Sequence, residues 1–351
     1  MAAISAGEVA IYDRQLRLWG VQAQQRLLAS KVLVWGLEGS NVELCKNLVL
    51  AGISLEVRDH RSVGSADVSF NYFLRQEDDG QNRAECAARR VQEMNPLAVV
   101  SASSASPEEV AWKDADALRG ALKDYAVVSV GLAVLGWDVG RVQALDAACR
   151  AAGVGFVLLV SAGELAFFFS DLGEHTVEER SGAQGAGAPA PPGGAAGAPA
   201  TEPEKLHFPS FGEWLECSPA ALQQQKADPS FLLIALFLAF LRQGGKAEPG
   251  AAEEFEKYCL SRAKSVPVVD GFADVKAAFG CFFVEPLIAV ASVLGGLQAQ
   301  EVIKAITKRD PPLVNSVCFN AHTSTAWVER IPAPEKASKK RKVEEAADLL
   351  D

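Results

Sequence analysis

Only four histidines occur in this 351-residue sequence, His60, His175, His207 and His322, and they are dispersed. That excludes a recognisable catalytic pair of the dehydrogenase kind. No two of the seven cysteines lie within four positions of each other, which excludes a CxxC zinc knuckle. Their odd count in a chain this long suggests reduced thiols in the cytosol or nucleus. The longest apolar run, Phe231 to Leu241, is too short to span a bilayer, so no membrane is expected as a partner. A basic excess is also missing. The formal net charge of −10 argues against a nucleic-acid protein built on a general basic surface. The first residues, MAAISAGEVAIYDRQ, have no basic start and no long apolar stretch, so no signal peptide is expected.

What is present is an alternation of short apolar strands and amphipathic helices. Strands are expected at Val32–Trp35, Ile53–Asp59, Ala98–Ala102, Ala126–Val130 and Val154–Val160. Helices are expected between them, at Asn41–Leu50, Asn82–Met94, Ala115–Leu122 and Asp138–Ala152. The pattern implies a doubly wound, mostly parallel sheet covered on both faces. "ELAFFFSDLGEH" adds a strand and a turn. The division expected is a first α/β part over 1–180 and a disordered Gly/Ala/Pro linker over 181–204. A helical insertion over 205–263, a completing α/β part over 264–332 and a flexible tail over 333–351 follow. Pro286–Thr307 is a long helix of that completing part, and LVNSVCFNAHTSTAWVERI a two-stranded finish.

The stretch KVLVWGLEGSNVELCKNL has the form strand, glycine loop, helix. Such a unit aims backbone N–H groups and the positive end of a helix at a phosphate. Gly36 suits the tight turn and Gly39 follows, but Glu38 and Asn41 stand where the dinucleotide fingerprint has glycines. Glu38 brings a carboxylate, and Asn41 a side chain where only hydrogen fits easily. Ser40 and Glu43 have capping-box spacing, which would satisfy the helix start without a ligand. Asp59 ends the next strand, where either a ribose-binding carboxylate or a turn residue is at home. These residues alone leave open a nucleotide site and a packing turn.

Longer strings narrow the choice. Tyr12 to Gly20, YDRQLRLWG, and Asn82 to Pro96, NRAECAARRVQEMNP, closely resemble segments of the ubiquitin-like-modifier activating enzymes. So do Asp171–His175 and Gly295–Pro312. The resemblance spans most of residues 10 to 330 and is nearest to the small, non-thiolester subunit of the SUMO-activating type. It implies a Rossmann-like adenylation fold that pairs with a large catalytic subunit. The partner subunit would bind ATP and Mg²⁺, adenylate SUMO and form the thiolester. Alternatives are the regulatory subunit of a Nedd-type enzyme, a self-sufficient sulfur-carrier-type adenylating enzyme, or a scaffold without a catalytic part.

Departures from the active pattern imply a degenerate site over Gly36, Gly39, Asp59 and Arg83. Asn71 is not followed directly by Arg-Gln, and VSVGLAVLGWD offers no carboxylate before Asp138 to hold magnesium. Cys217, in LECSPAAL, is the one candidate nucleophile, but its context is not the family's, and Glu216 is expected to raise its pKa. The resemblance assigns catalysis to Arg14, which would reach the partner's ATP in trans. Lys339, Lys340, Arg341 and Lys342 form a basic cluster of the nuclear-import kind, or else a solvated charge run. A nuclear protein with some cytoplasmic presence is the expectation.

Overall fold

The computed structural model describes residues 4–178, 203–217, 219–262 and 267–333. Strand β1 (Lys31–Trp35) turns Leu33 and Trp35 to one side and Val32 and Val34 to the other, and all four are buried. A strand apolar on both sides requires cover on both faces. The long kinked helix α1 (Ala6–Leu28) precedes it. After it run α2 (Ser40–Leu50), β2 (Ser54–Arg58), α3 (Arg83–Met94), β3 (Val100–Ser103), α4 (Ala115–Leu122), β4 (Val127–Gly131), α5 (Val139–Ala152) and β5 (Gly155–Ala162). Boundaries differ from the sequence expectation by one or two residues.

These five strands are parallel, and β1 lies between β4 and β2. The strand order therefore reverses at β1, and the crevice between the ends of β1 and β4 is where such folds bind ligands. The sheet then continues with antiparallel β6 (Leu165–Asp171), β9 (Ser316–Asn320) and β10 (Thr325–Glu329), in the order β10-β9-β6-β5-β4-β1-β2-β3. Strands β7 (Glu174–Val177) and β8 (Glu204–His207) pair separately as a hairpin. The segment expected as a helical insertion therefore opens with a strand. Its helices α6 (Phe211–Glu216), α7 (Pro219–Gln225), α8 (Pro229–Arg242) and α9 (Ala252–Arg262), with α10 (Val275–Cys281), pack on the sheet. Phe211, Trp214 and Phe231 meet the β6 phenylalanines Phe167 and Phe169. They share that face with α4 and α5, in one continuous core.

The opposite face is covered by α1, α2, α3 and α11 (Ile288–Thr307). Helix α11 crosses the start of α2 so closely that a Cβ on Gly295 would lie 2.5 Å from the Ser40 carbonyl oxygen. That contact fixes the helix behind the glycine loop.

Candidate functional site

Gly36 leaves β1 with φ 94°, a conformation that favours glycine, and its N–H donates to the Arg58 carbonyl. Gly39 follows at φ 50° and takes the N-cap position of α2. Ser40 is thus the first helical residue and not the cap. The capping box expected from Ser40 and Glu43 does not form. The Ser40 hydroxyl is buried without a partner among the described residues, and Glu43 turns instead to Lys46, Asn47 and the Tyr72 hydroxyl. Asn41 also departs from expectation. Its side chain points into the core, where Nδ2 donates to the Gly36 carbonyl at 2.9 Å and Oδ1 accepts from the Ser129 hydroxyl at 2.9 Å. Gln298 completes the group by donating to Ser129 at 2.7 Å. Asn41 braces the loop from behind and takes no room in front of it.

Glu38 does take that room. A Cβ on Gly131, at the end of β4, would lie 2.4 Å from its carboxylate. Arg61 then joins Glu38 to Asp59. Arg61 Nη1 donates to Glu38 at 2.5 Å, while Nε and Nη2 fork onto Asp59 at 2.9 and 2.6 Å. Asp59, fully buried, also accepts the Leu37 N–H at 2.9 Å. Burial alone would raise its pKa. The Arg61 hydrogen bonds and charge prevail, helped by Arg83 and the Leu37 amide, and hold it below the usual carboxylate range. Asp59 is thus more than a turn residue: both its oxygens accept hydrogen bonds within the protein.

Arg83 donates to Asp67 at 2.7 Å. Nearby Glu285 has its pKa raised by burial and then by the charges of Glu38 and Asp67. Four carboxylates, Glu38, Asp59, Asp67 and Glu285, thus face two guanidiniums, Arg61 and Arg83. The cavity left beside Glu38, bounded by Trp137, Ser161, Phe282 and Pro286, holds about 110 Å³. Ligand pockets run to roughly 300–1,000 Å³. A triphosphate with its magnesium does not fit this volume or this surplus of negative charge. Among the described residues no group of three or more His, Cys, Asp or Glu is placed to hold a metal ion. Asp138 is spent as the N-cap of α5, accepting from the Gly140 and Arg141 amides. Asn71 donates to the Leu37 carbonyl at 3.3 Å and so steadies the loop.

The structure thus gathers Gly36, Gly39, Asp59 and Arg83 in one place and leaves Arg14 in another. Gln15, next to Arg14, donates to the Leu50 carbonyl at the last turn of α2. With 11 residues at about 1.5 Å each, α2 separates that turn from the glycine loop by about 16 Å. Arg14 itself is exposed, and among the described residues it has no hydrogen-bond or ion-pair partner. Arg17, its neighbour, is held by Asp13 at 2.9 Å. Cys217 is half-buried against the core, and burial, not Glu216, raises its pKa. Arg61 and Glu285 were not marked as site residues in the sequence. The only available signal for Arg61 was its position two residues beyond a strand-ending aspartate. The basic cluster 339–342 lies outside the described residues.

Comparison with known proteins decides the family. The chain is 30% identical over 353 residues to "SUMO-activating enzyme subunit 1" of Homo sapiens, covering 93% of this chain and 96% of that protein. It belongs to the SUMO-activating enzyme subunit 1 family. The Bos taurus protein of that name is likewise 30% identical, with the same 93% and 96% coverage, and the Danio rerio one 29%. The ThiF family model matches residues 12–132, which hold α1 from Tyr12 onward, the glycine loop and the Asp59–Arg61 turn of this subunit 1 relative. Solved structures agree on the fold. PaaA superposes with a TM-score of 0.56 at 15% identity, over 94% of this chain and 76% of that one. E. coli MccB, in a crystal with AMPCPP and MccA, gives 0.53 at 14%, over 93% and 72%.

Proposed function

We propose that this chain is the non-catalytic subunit of a SUMO-activating enzyme. It pairs with a larger catalytic subunit that binds ATP and Mg²⁺, adenylates the C-terminus of SUMO and takes SUMO onto a cysteine. The isolated chain is inactive. One contrast supports this best: Glu38, Arg61 and Asp59 fill the chain's own site, while Arg14 is exposed and has no partner among the described residues. Ile11 and Leu18 flank Arg14 one helical turn to either side and are exposed, as residues awaiting a partner would be.

In trans, the Arg14 guanidinium meets phosphate oxygens in bidentate fashion and stabilises charge that develops as pyrophosphate leaves. Arg14→Ala should slow ATP–pyrophosphate exchange by the assembled enzyme by about tenfold or more, with assembly intact. Wild-type exchange rates in that variant would refute the trans role, and exchange by the isolated chain would refute the division of labour. The Lys339–Lys342 cluster acts as a nuclear-import signal in the same proposal. A fluorescent fusion that stays nuclear when those four residues are alanine would refute that part.

A further inference from the structure

Helix α1 is held by its buried side in one rotation. Tyr12 is fully buried, and Asn95 Nδ2 donates to its hydroxyl at 2.8 Å and to the Val49 carbonyl at 2.7 Å. Asn95 Oδ1 accepts from the Leu97 amide, so its amide group is fully engaged. The Tyr12 ring lies on Gly52, where a Cβ would come within 2.8 Å of the hydroxyl and where φ is 91°. Along the same side, Gln15 donates to the Leu50 carbonyl, Trp19 Nε1 donates to Gln24 at 2.9 Å, and Gln24 donates to the Ala51 carbonyl at 3.0 Å. The kink at Gly20, φ 84°, is met by Arg309, which donates to the Trp19 carbonyl. These contacts converge on the last turn of α2 and the residues after it.

Successive helical residues are set about 100° apart, so Arg14, two beyond Tyr12, faces about 200° away from it. Burying Tyr12 therefore turns Arg14 outward. We infer that Tyr12 and Asn95, seated on Gly52, are positioning residues that set the rotation of α1 and thereby aim Arg14 at the partner's nucleotide. The inference rests on the trans role proposed above. Tyr12 and Asn95 touch no substrate; they act through Arg14. A site across an interface loses rate steeply when a guanidinium is misplaced by an ångström, and an arginine on a long side chain needs a fixed base. The buried hydrogen bond to Tyr12 from Asn95, itself held on the Val49 carbonyl, supplies that fixity, because a different rotation of the helix would break it.

The test uses the enzyme assembled from this chain and its catalytic subunit. Tyr12→Phe retains the ring on Gly52 and removes only the hydroxyl; Asn95→Ala removes the donor. Each should reduce pyrophosphate exchange about fivefold, the scale of one lost hydrogen bond, mostly as a raised KM for ATP. The KM for SUMO and the yield of complex should stay at wild-type values. In an Arg14→Ala background neither change should cost anything further, because both act through the missing guanidinium. Full, additive losses in that background, or an equal rise in both KM values, would mean a merely structural role and overturn the inference. Slow exchange with Arg14→Ala but wild-type exchange with both Tyr12→Phe and Asn95→Ala would overturn it alone. Silence of Arg14→Ala would overturn the trans role and this inference together.

Discussion

The two ends of helix α2 treat charge in opposite ways. At its start, Glu38, Arg61 and Asp59 satisfy one another within the protein, and the loop in front of the helix is closed. At its end, neutral groups such as Tyr12, Asn95 and Gln24 carry the anchoring, and Arg14 points outward with no partner among the described residues. A glycine loop therefore does not by itself identify a working site. What distinguishes the two ends is whether the polar groups have been answered internally or remain available.

Three changes would break or sharpen that contrast. Arg61→Ala should have the largest effect. It leaves Asp59 charged and buried with only amide partners, and loss of one partner of such a pair costs roughly 3–5 kcal/mol. Urea denaturation of the chain would measure it; a loss under about 1 kcal/mol would mean that the closed end is not held by charge. Asn41→Ala comes next. If Asn41 braces the core, Ser129, Gln298 and the Gly36 carbonyl lose partners, and stability should fall by about 1–3 kcal/mol. A side chain standing in the room before the loop would be removed at little cost, so a neutral result would place Asn41 in front of the loop and not behind it.

The smallest effect should come from acid. The folded pKa of Asp59 lies below its ordinary value despite burial, because Arg61 outweighs desolvation. Its contribution to stability is present above the unfolded carboxylate pKa and is lost as pH falls through the depressed folded value. The Leu37 amide, which donates to Asp59, should therefore lose hydrogen-exchange protection on acidification before the amides around Gly52 do. Equal loss at both ends would show global unfolding and not a difference between them.

Much of the sheet was legible in the sequence because each strand carries its own signal. Val32 and Val34 alternate with Leu33 and Trp35, and all are apolar, so a strand buried on both faces follows from local spacing. Gly36 and Gly52 likewise announce turns that their φ angles confirm. The direction of Asn41 was not legible, because its partners Ser129 and Gln298 lie 88 and 257 residues away. The false capping box has a related cause. Ser40 and Glu43 have the right spacing, but the helix begins one residue too early, at Ser40 itself, for Ser40 to serve as cap. Arg61 escaped notice since nothing local says that a guanidinium beyond a strand will turn back over two carboxylates. The unpaired state of Arg14 also required the fold, which gives Asp13 to Arg17.

The β7–β8 hairpin has a practical consequence. Val177 and Glu204 are register partners, so the chain ends that enter and leave the intervening stretch are held at strand spacing, about 5 Å. The span between them is closed whatever its length, and doubling a flexible loop adds only about 0.6 kcal/mol of closure cost. The hairpin is in effect a socket. A reporter domain spliced between those strands should leave the melting temperature of the sheet unchanged, giving a handle on this subunit.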